Sequence, residues 1–354
     1  MLGRDKVETA ASTAPARRTR QPRLDHELFG IAMAAIMAQP QLGRGPHGLG
    51  SPALAWSRRS GTRRASNQVA GRRGHGYAAP RGHLLLAGKS AAALASWPMT
   101  KDIQGDLKAQ TIMVRGHGNQ EIEAYLAEPL GEGPYGGVVV IHHMPGYDRS
   151  TKEITRRFAA MGYLAVMPNL YHREAPGASP DDAAAAARAA GGVPDERLVG
   201  DVAGAIAYLK AHPKSNGKAG TIGYCSGGRQ SFLSAVSLQL DAAVACYPGG
   251  VVNAPPAGAP VSFTPLIDRS KDLSCPLLGL FGDEDKFPSP DEVATLDTQL
   301  SSLGKEHEFH SYPGAGHAFF DVDRPSYRVE AALDGWKRIE AFFGRHLASE
   351  KRAS

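Results

Sequence analysis

The sequence predicts an α/β domain with a mainly parallel central sheet and helices on both faces. Three observations predict it. The run Gly136-Gly137-Val138-Val139-Val140-Ile141-His142 is continuously apolar, as in a strand covered on both sides, rather than alternating like a half-exposed one. From there to residue 346, short strand-like runs alternate with segments of helical period. Two of those strands end in turns that carry reactive side chains, the position at which open α/β sheets gather their ligands.

Taken in order, Thr111–Val114 and Ile122–Leu126 read as two strands about the polar turn His117–Gln120, an antiparallel pair at one edge. The central strand Gly136–His142 follows, then a helix over Lys152–Met161 and a strand over Tyr163–Pro168. Ala183–Ala187, between the Pro- and Gly-containing turns at Ala175–Gly177 and Val193–Pro194, predicts a helical excursion above the strand ends. A longer helix fits Glu196–Ala211, and Gly220–Tyr224 is the next strand, with a helix after it. Strands over Ala242–Tyr247, Pro276–Phe281 and Glu306–Tyr312 and helices over Pro290–Leu303 and Tyr327–His346 complete the alternation. The turn-rich stretch Pro248–Pro265 reads as a long loop bordering the site.

Charge divides the chain. Residues 1–98 hold 15 basic and 4 acidic side chains, so the formal +5 of the whole is +11 in this head and −6 in the remainder. Strings such as Arg58-Arg59-Ser60-Gly61-Thr62-Arg63-Arg64 bury too little apolar surface to offset chain entropy, so residues 1–98 are expected to be a disordered basic leader and 99–354 the catalytic domain. The apolar stretch Leu28–Ala38 behind Arg17-Arg18 has the length of an export-signal core, but Asp25 and Glu27 occupy its positive flank. A basic interaction tail and a start at Met99 are the other readings of this region. The high pI belongs to the head, which argues against nucleic acid as a partner of the domain. No run of about 18 apolar residues exists, so no membrane-spanning helix is expected. Cys225, Cys246 and Cys275 are odd in number and widely spaced, which points to a reducing, cytoplasmic setting.

Gly223-Tyr224-Cys225-Ser226-Gly227-Gly228 has the form G-x-nucleophile-x-G between a strand and a helix, with Cys where Ser is commoner. Such a turn needs small neighbours so that the nucleophile projects, and the free N–H groups of the helix start favour a thiolate and then an oxyanion. The plainer reading is a Gly-rich turn around an inert cysteine. Gly282-Asp283-Glu284-Asp285 puts acids at the end of a later strand, where the G-x-x-D spacing selects Asp285 to orient a base; a solvated acidic turn is its alternative. Pro313-Gly314-Ala315-Gly316-His317 returns one imidazole over the sheet, and His317 is the expected base. A lone loop histidine would ordinarily be surface, but the order nucleophile, acid, base is that of α/β-hydrolases, and the three occur together. His142, His143 and His317 lack a further ligand at suitable spacing, so neither a metal nor another cofactor is expected.

From about residue 105 to 346 the chain resembles the dienelactone hydrolase family of α/β-hydrolases, on Asn169-Leu170-Tyr171, Ala175-Pro176-Gly177, Ser215-Asn216-Gly217-Lys218, the Cys225 motif, the Asp285 turn and Gly314–His317. The resemblance implies an α/β-hydrolase fold in which Cys225 attacks an ester or lactone carbonyl, His317 held by Asp285 moves the protons, and the backbone N–H groups of Ser226 and Met144 hold the oxyanion. The expected partner is a small ester or lactone, with the protein a monomer or small homo-oligomer. Three departures follow. Where the family has a glutamate that pairs with the resting cysteine, this chain has His143, an imidazole that can pair with the thiol and stabilise its thiolate; local hydrogen bonding by His142 and His143 is the alternative. Where it has a carboxylate-binding arginine four residues after the histidine, this chain has Asp321, leaving Arg188, Arg324 and Tyr171 as the substrate-binding candidates. The family has no leader like residues 1–98. A carboxylesterase without acid selectivity and a non-catalytic, ligand-binding or redox-sensing homologue are the alternative functions.

Overall fold

The computed structural model describes residues 107–348, except 256, 257 and 260. The expected leader, 1–98, and the start at Met99 lie outside the described residues. Eight strands form one sheet: β1 (Leu107–Arg115), β2 (Glu121–Pro129), β3 (Tyr135–Ile141), β4 (Leu164–Pro168), β5 (Ser215–Tyr224), β6 (Ala242–Cys246), β7 (Leu277–Gly282) and β8 (His307–Tyr312). Their order is β1-β2-β4-β3-β5-β6-β7-β8; β2 is antiparallel to both β1 and β4, and every pair from β4 onward is parallel. Six helices lie among the described residues: α1 (Arg149–Ala160), α2 (Pro180–Ala189), α3 (Asp195–Ala211), α4 (Ser226–Ala235), α5 (Pro290–Ser302) and α6 (Val329–His346). None among the described residues is long and apolar enough to cross a membrane.

The mainly parallel sheet covered on both faces is the expected architecture, and the period-2 rule shows how it is built. Along β3, Val139 and Ile141 face one apolar cluster with α2 to α5, while Val138 and Val140 face the other with α1 and α6. β4 and β6 alternate in the same way, so both faces of these central strands are buried. Several bounds differ from expectation. The turn at 117–120 contains a short 3-10 turn, His117–Asn119, and an unexpected 3-10 turn, Ile267–Asp272, follows the long loop. β5 begins at Ser215, five residues early, because Asn216 accepts a bond from the Lys218 N–H at 2.9 Å and carries the chain past Gly217 into pairing with β3, with a register shift. Polar residues hid that strand start.

Parallel pairing has one consequence for function: β3, β5, β6, β7 and β8 all end at the same edge, so the segments after them converge. The loop of residues 247–266 is fastened at that edge by Arg229 of α4. Its guanidinium donates to both carboxylate oxygens of Asp195 at 2.8 and 2.9 Å and to the Thr264 carbonyl at 2.8 Å, and lies 4.5 Å from the Phe263 ring.

Two stability outcomes are expected. Phe158, fully buried among Tyr163, Trp336 and Phe343, is the centre of the α1–α6 layer. Phe158→Ala should lower unfolding free energy by about 3–5 kcal/mol in urea titration. Arg229→Met keeps the apolar stem but releases the loop, so limited proteolysis should cut within residues 247–266 several-fold faster than in the parent, with Asp195 left to rehydrate at the surface.

Candidate active site

Cys225 is the single residue between β5 and α4, with φ 57° and ψ −121°, a conformation L residues rarely adopt. Its neighbours explain how that conformation is tolerated. A Cβ on Gly223 would collide with the Gly227 carbonyl, and one on Gly227 with the Ile141 carbonyl at the end of β3. Only glycine lets the strand end, the helix start and the adjacent strand approach this closely. The Cys225 N–H donates to the Cys246 carbonyl of β6 at 3.1 Å, which pins the turn from the other side. Cys225 thus caps the N-terminus of α4, where unpaired N–H groups and the helix dipole favour negative charge.

From the turn after β7, Asp285 is 3% exposed and its Oδ2 lies 2.8 Å from His317 Nδ1, while its Oδ1 accepts the Phe287 N–H at 3.0 Å. Asp283 instead accepts the Gly314 N–H at 2.8 Å, and the Glu284 N–H donates to the Ala315 carbonyl at 2.9 Å, so these acids brace the loop that carries the histidine. His317 acts on the Cys225 thiol across the site, and its ring meets Tyr247 edge-on at 5.1 Å. Burial opposes charge on both partners, yet the Cys225 thiol is lowered, by the His317 imidazolium foremost, and His317 is raised by the thiolate and by Asp285. The two shifts reinforce each other, so the charged form of each group favours that of its partner. Burial alone pushes Cys246 far up, and it raises Cys275 to about 12, so of the three thiols only that of Cys225 is shifted towards the thiolate.

A cavity of about 610 Å³ opens over this pair. His143, Met144, Tyr171, Arg188, Ser226 and Arg324, all predicted from the sequence, line it together with Cys225 and His317. The two adjacent histidines have different roles. His142 accepts the Leu170 N–H on Nε2 at 3.1 Å, so its Nδ1 carries the proton that is donated to the His143 carbonyl at 3.0 Å; burial lowers it to about 4, and it is a neutral tie between strand ends. His143 Nε2 lies 3.2 Å from Asp148 Oδ2, and the imidazole lines the cavity together with Cys225, which acts on it electrostatically. Among the described residues no group of three or more His, Cys, Asp or Glu side chains is arranged to hold a metal.

The arginines also separate. Arg324 Nε is 2.8 Å from Asp321 Oδ2, so its charge is compensated within its own loop. Arg188 makes no ion pair among the described residues and is near enough to Tyr171 to act on its hydroxyl electrostatically. Tyr171 lies edge-on to the His142 ring at 4.9 Å, its hydroxyl pushed up by burial. Ser226 Oγ and Gln230 Oε1, one helical turn apart on α4, are buried without a partner in the cavity wall. Gln230, Arg229, Asp148 and Tyr247 were not legible as site residues. Asp148 carried a helix-cap signal three residues before Thr151, but nothing local tied it to His143.

The model of the dienelactone hydrolase family matches residues 122–347 of the chain. A protein of Methylorubrum extorquens named "Putative carboxymethylenebutenolidase" is 35% identical over 232 residues, covering 64% of this chain and 77% of its own. One of the same name from Synechocystis is 30% identical over 254 residues, covering 70% of this chain and all of the relative. A solved structure described as "Putative Dienelactone Hydrolase", from Klebsiella pneumoniae, superimposes with a TM-score of 0.60 at 30% identity, over 68% of this chain and 99% of that one. The sheet order, the turn at Cys225 and the match from β2 to the end of α6 agree: the chain has the α/β-hydrolase fold and belongs to the dienelactone hydrolase family.

Proposed function

We propose that this protein hydrolyses a small ester or lactone through a thioester on Cys225. The observation that carries the reading is the continuous chain from Asp285 through His317 to a thiol held on a strained turn at a helix N-terminus. The thiolate adds to the substrate carbonyl, and the N–H groups of Ser226 and Met144 receive the oxyanion. Collapse breaks the C–O bond and the leaving alkoxide takes the proton of His317, which leaves a thioester and a neutral imidazole. His317 then removes a proton from water, the hydroxide attacks the thioester, and the second collapse expels the thiolate beside the renewed imidazolium. A carboxylic acid leaves and ionises.

Arg188 is the group that suits a carboxylate on the acyl portion, because it is a cavity-lining guanidinium with no ion pair among the described residues. Since Arg324 is matched by Asp321, one arginine rather than two is available, and this favours acceptance of neutral esters alongside acidic lactones. A general carboxylesterase is the second reading on that ground.

Hydrolysis of p-nitrophenyl acetate and of a dienelactone by the full chain tests both. Cys225→Ala should lower kcat by at least about a thousandfold on each; equal rates in parent and variant would overturn the nucleophile. Arg188→Gln should raise KM about tenfold for the carboxylate substrate and leave the neutral ester unchanged; a flat response on both would leave the general esterase. The pH profile of kcat/KM should be bell-shaped. Because the Cys225 thiol is lowered, the active thiolate persists below the usual thiol range and is lost as pH falls through its lowered value; because His317 is raised, activity is lost at alkaline pH as the imidazolium deprotonates.

A further inference from the structure

The turn between β3 and α1 contains a second carboxylate and imidazole whose arrangement parallels that of Asp285 and His317. His143 follows β3, directly beside β5 in the sheet, whereas His317 comes from the far side of β5, beyond β6 and β7. Both imidazoles line the cavity with Cys225. His143 is 3.2 Å from Asp148, and the two side chains are only 12% and 22% exposed. Asp148 is fixed in turn: its Oδ1 accepts the Thr151 N–H at 2.8 Å and the Thr151 hydroxyl, and so caps α1. One carboxylate therefore locks the helix with one oxygen and holds the imidazole with the other.

We propose that Asp148 is a positioning residue that holds His143 as a standing positive charge beside Cys225, steadying the thiolate and the oxyanion that forms next to Met144. The proposal rests on Cys225 being the nucleophile. Its chemical sense comes from the proton cycle. His317 gives up its proton when the alkoxide leaves, so for half of the cycle it carries no charge. His143 keeps its proton, which it shares with Asp148 rather than with the leaving group, so its charge persists through both tetrahedral intermediates and the expulsion of the thiolate. The groups that face it are Asp148, Cys225 and Asp321, all favouring its protonation, with burial opposing and with His142 beside it kept neutral. Asp321 is itself matched by Arg324, which leaves Asp148 as the effective partner.

The test separates charge from capping. Asp148→Asn retains an oxygen able to cap α1, since Asn and Asp cap about equally well, but removes the carboxylate. Ionisation of Cys225 is read in the full chain from the pH dependence of its alkylation by iodoacetamide, with Cys225→Ala as the blank. Asp148→Asn and His143→Gln should each raise the midpoint by about one pH unit, and should lower kcat for p-nitrophenyl acetate about tenfold with KM little changed. Thermal unfolding of Asp148→Asn should stay within a few degrees of the parent. An unchanged midpoint and an unchanged kcat in both variants would overturn the proposal and reduce Asp148 to a helix cap. Persistent hydrolysis in Cys225→Ala would be a different failure, that of the nucleophile reading beneath it.

Discussion

The backbone conformation of Cys225 is the constraint on which the site depends. A residue at φ 57° and ψ −121° is strained by itself and persists only where its surroundings over-determine it. Here they do so from three directions: β5 enters through Gly223, α4 leaves through Gly227 against the end of β3, and β6 accepts the Cys225 N–H. These contacts need neighbouring parallel strands that end at one edge. The same geometry brings His143, Asp285 and His317 to the cysteine from β3, β7 and β8, although up to 174 residues separate them along the chain. The sheet is thus the device that converts distant sequence into one cluster.

Within that cluster, residue type decides less than surroundings do. Three cysteines share one chemistry, yet burial pushes the Cys246 and Cys275 thiols up, while His317 and the Ser226 N–H at the helix start lower that of Cys225. Three histidines divide likewise. His142 gives both nitrogens to backbone groups and stays neutral; His143 and His317 each meet a carboxylate and are raised. Two arginines in the same wall differ because one has Asp321 three residues away and the other has no ion pair among the described residues. In each case the cost of burying a charge is met, or not met, by a partner at hydrogen-bond distance.

Much of this was legible in advance where the signal is local. The apolar run of β3, the small residues about Cys225 and the G-x-x-D spacing at Asp285 each express a steric or solvation requirement met within a few residues. Where a signal is long-range or silent, sequence reading stopped short. The polar start of β5 did not look like a strand. Arg229 looked like any helix residue, although it ties α3 and the loop of residues 247–266 to the nucleophile helix. Nothing in the sequence tied His143 to Asp148, which showed only a capping pattern.

By itself, then, the sequence determined the α/β alternation, the two-faced burial of the central strands, and the identities and order of Cys225, Asp285 and His317. These are consequences of periodicity and of tight turns, which act between neighbours in the chain. Only the tertiary structure decided that Asp148 meets His143, which arginine has no ion pair among the described residues, and how burial and partners shift each cysteine. Those outcomes depend on distances of about 3 Å between groups on different strands, and on how much water remains around them. Both quantities exist only once the sheet has brought its strand ends together.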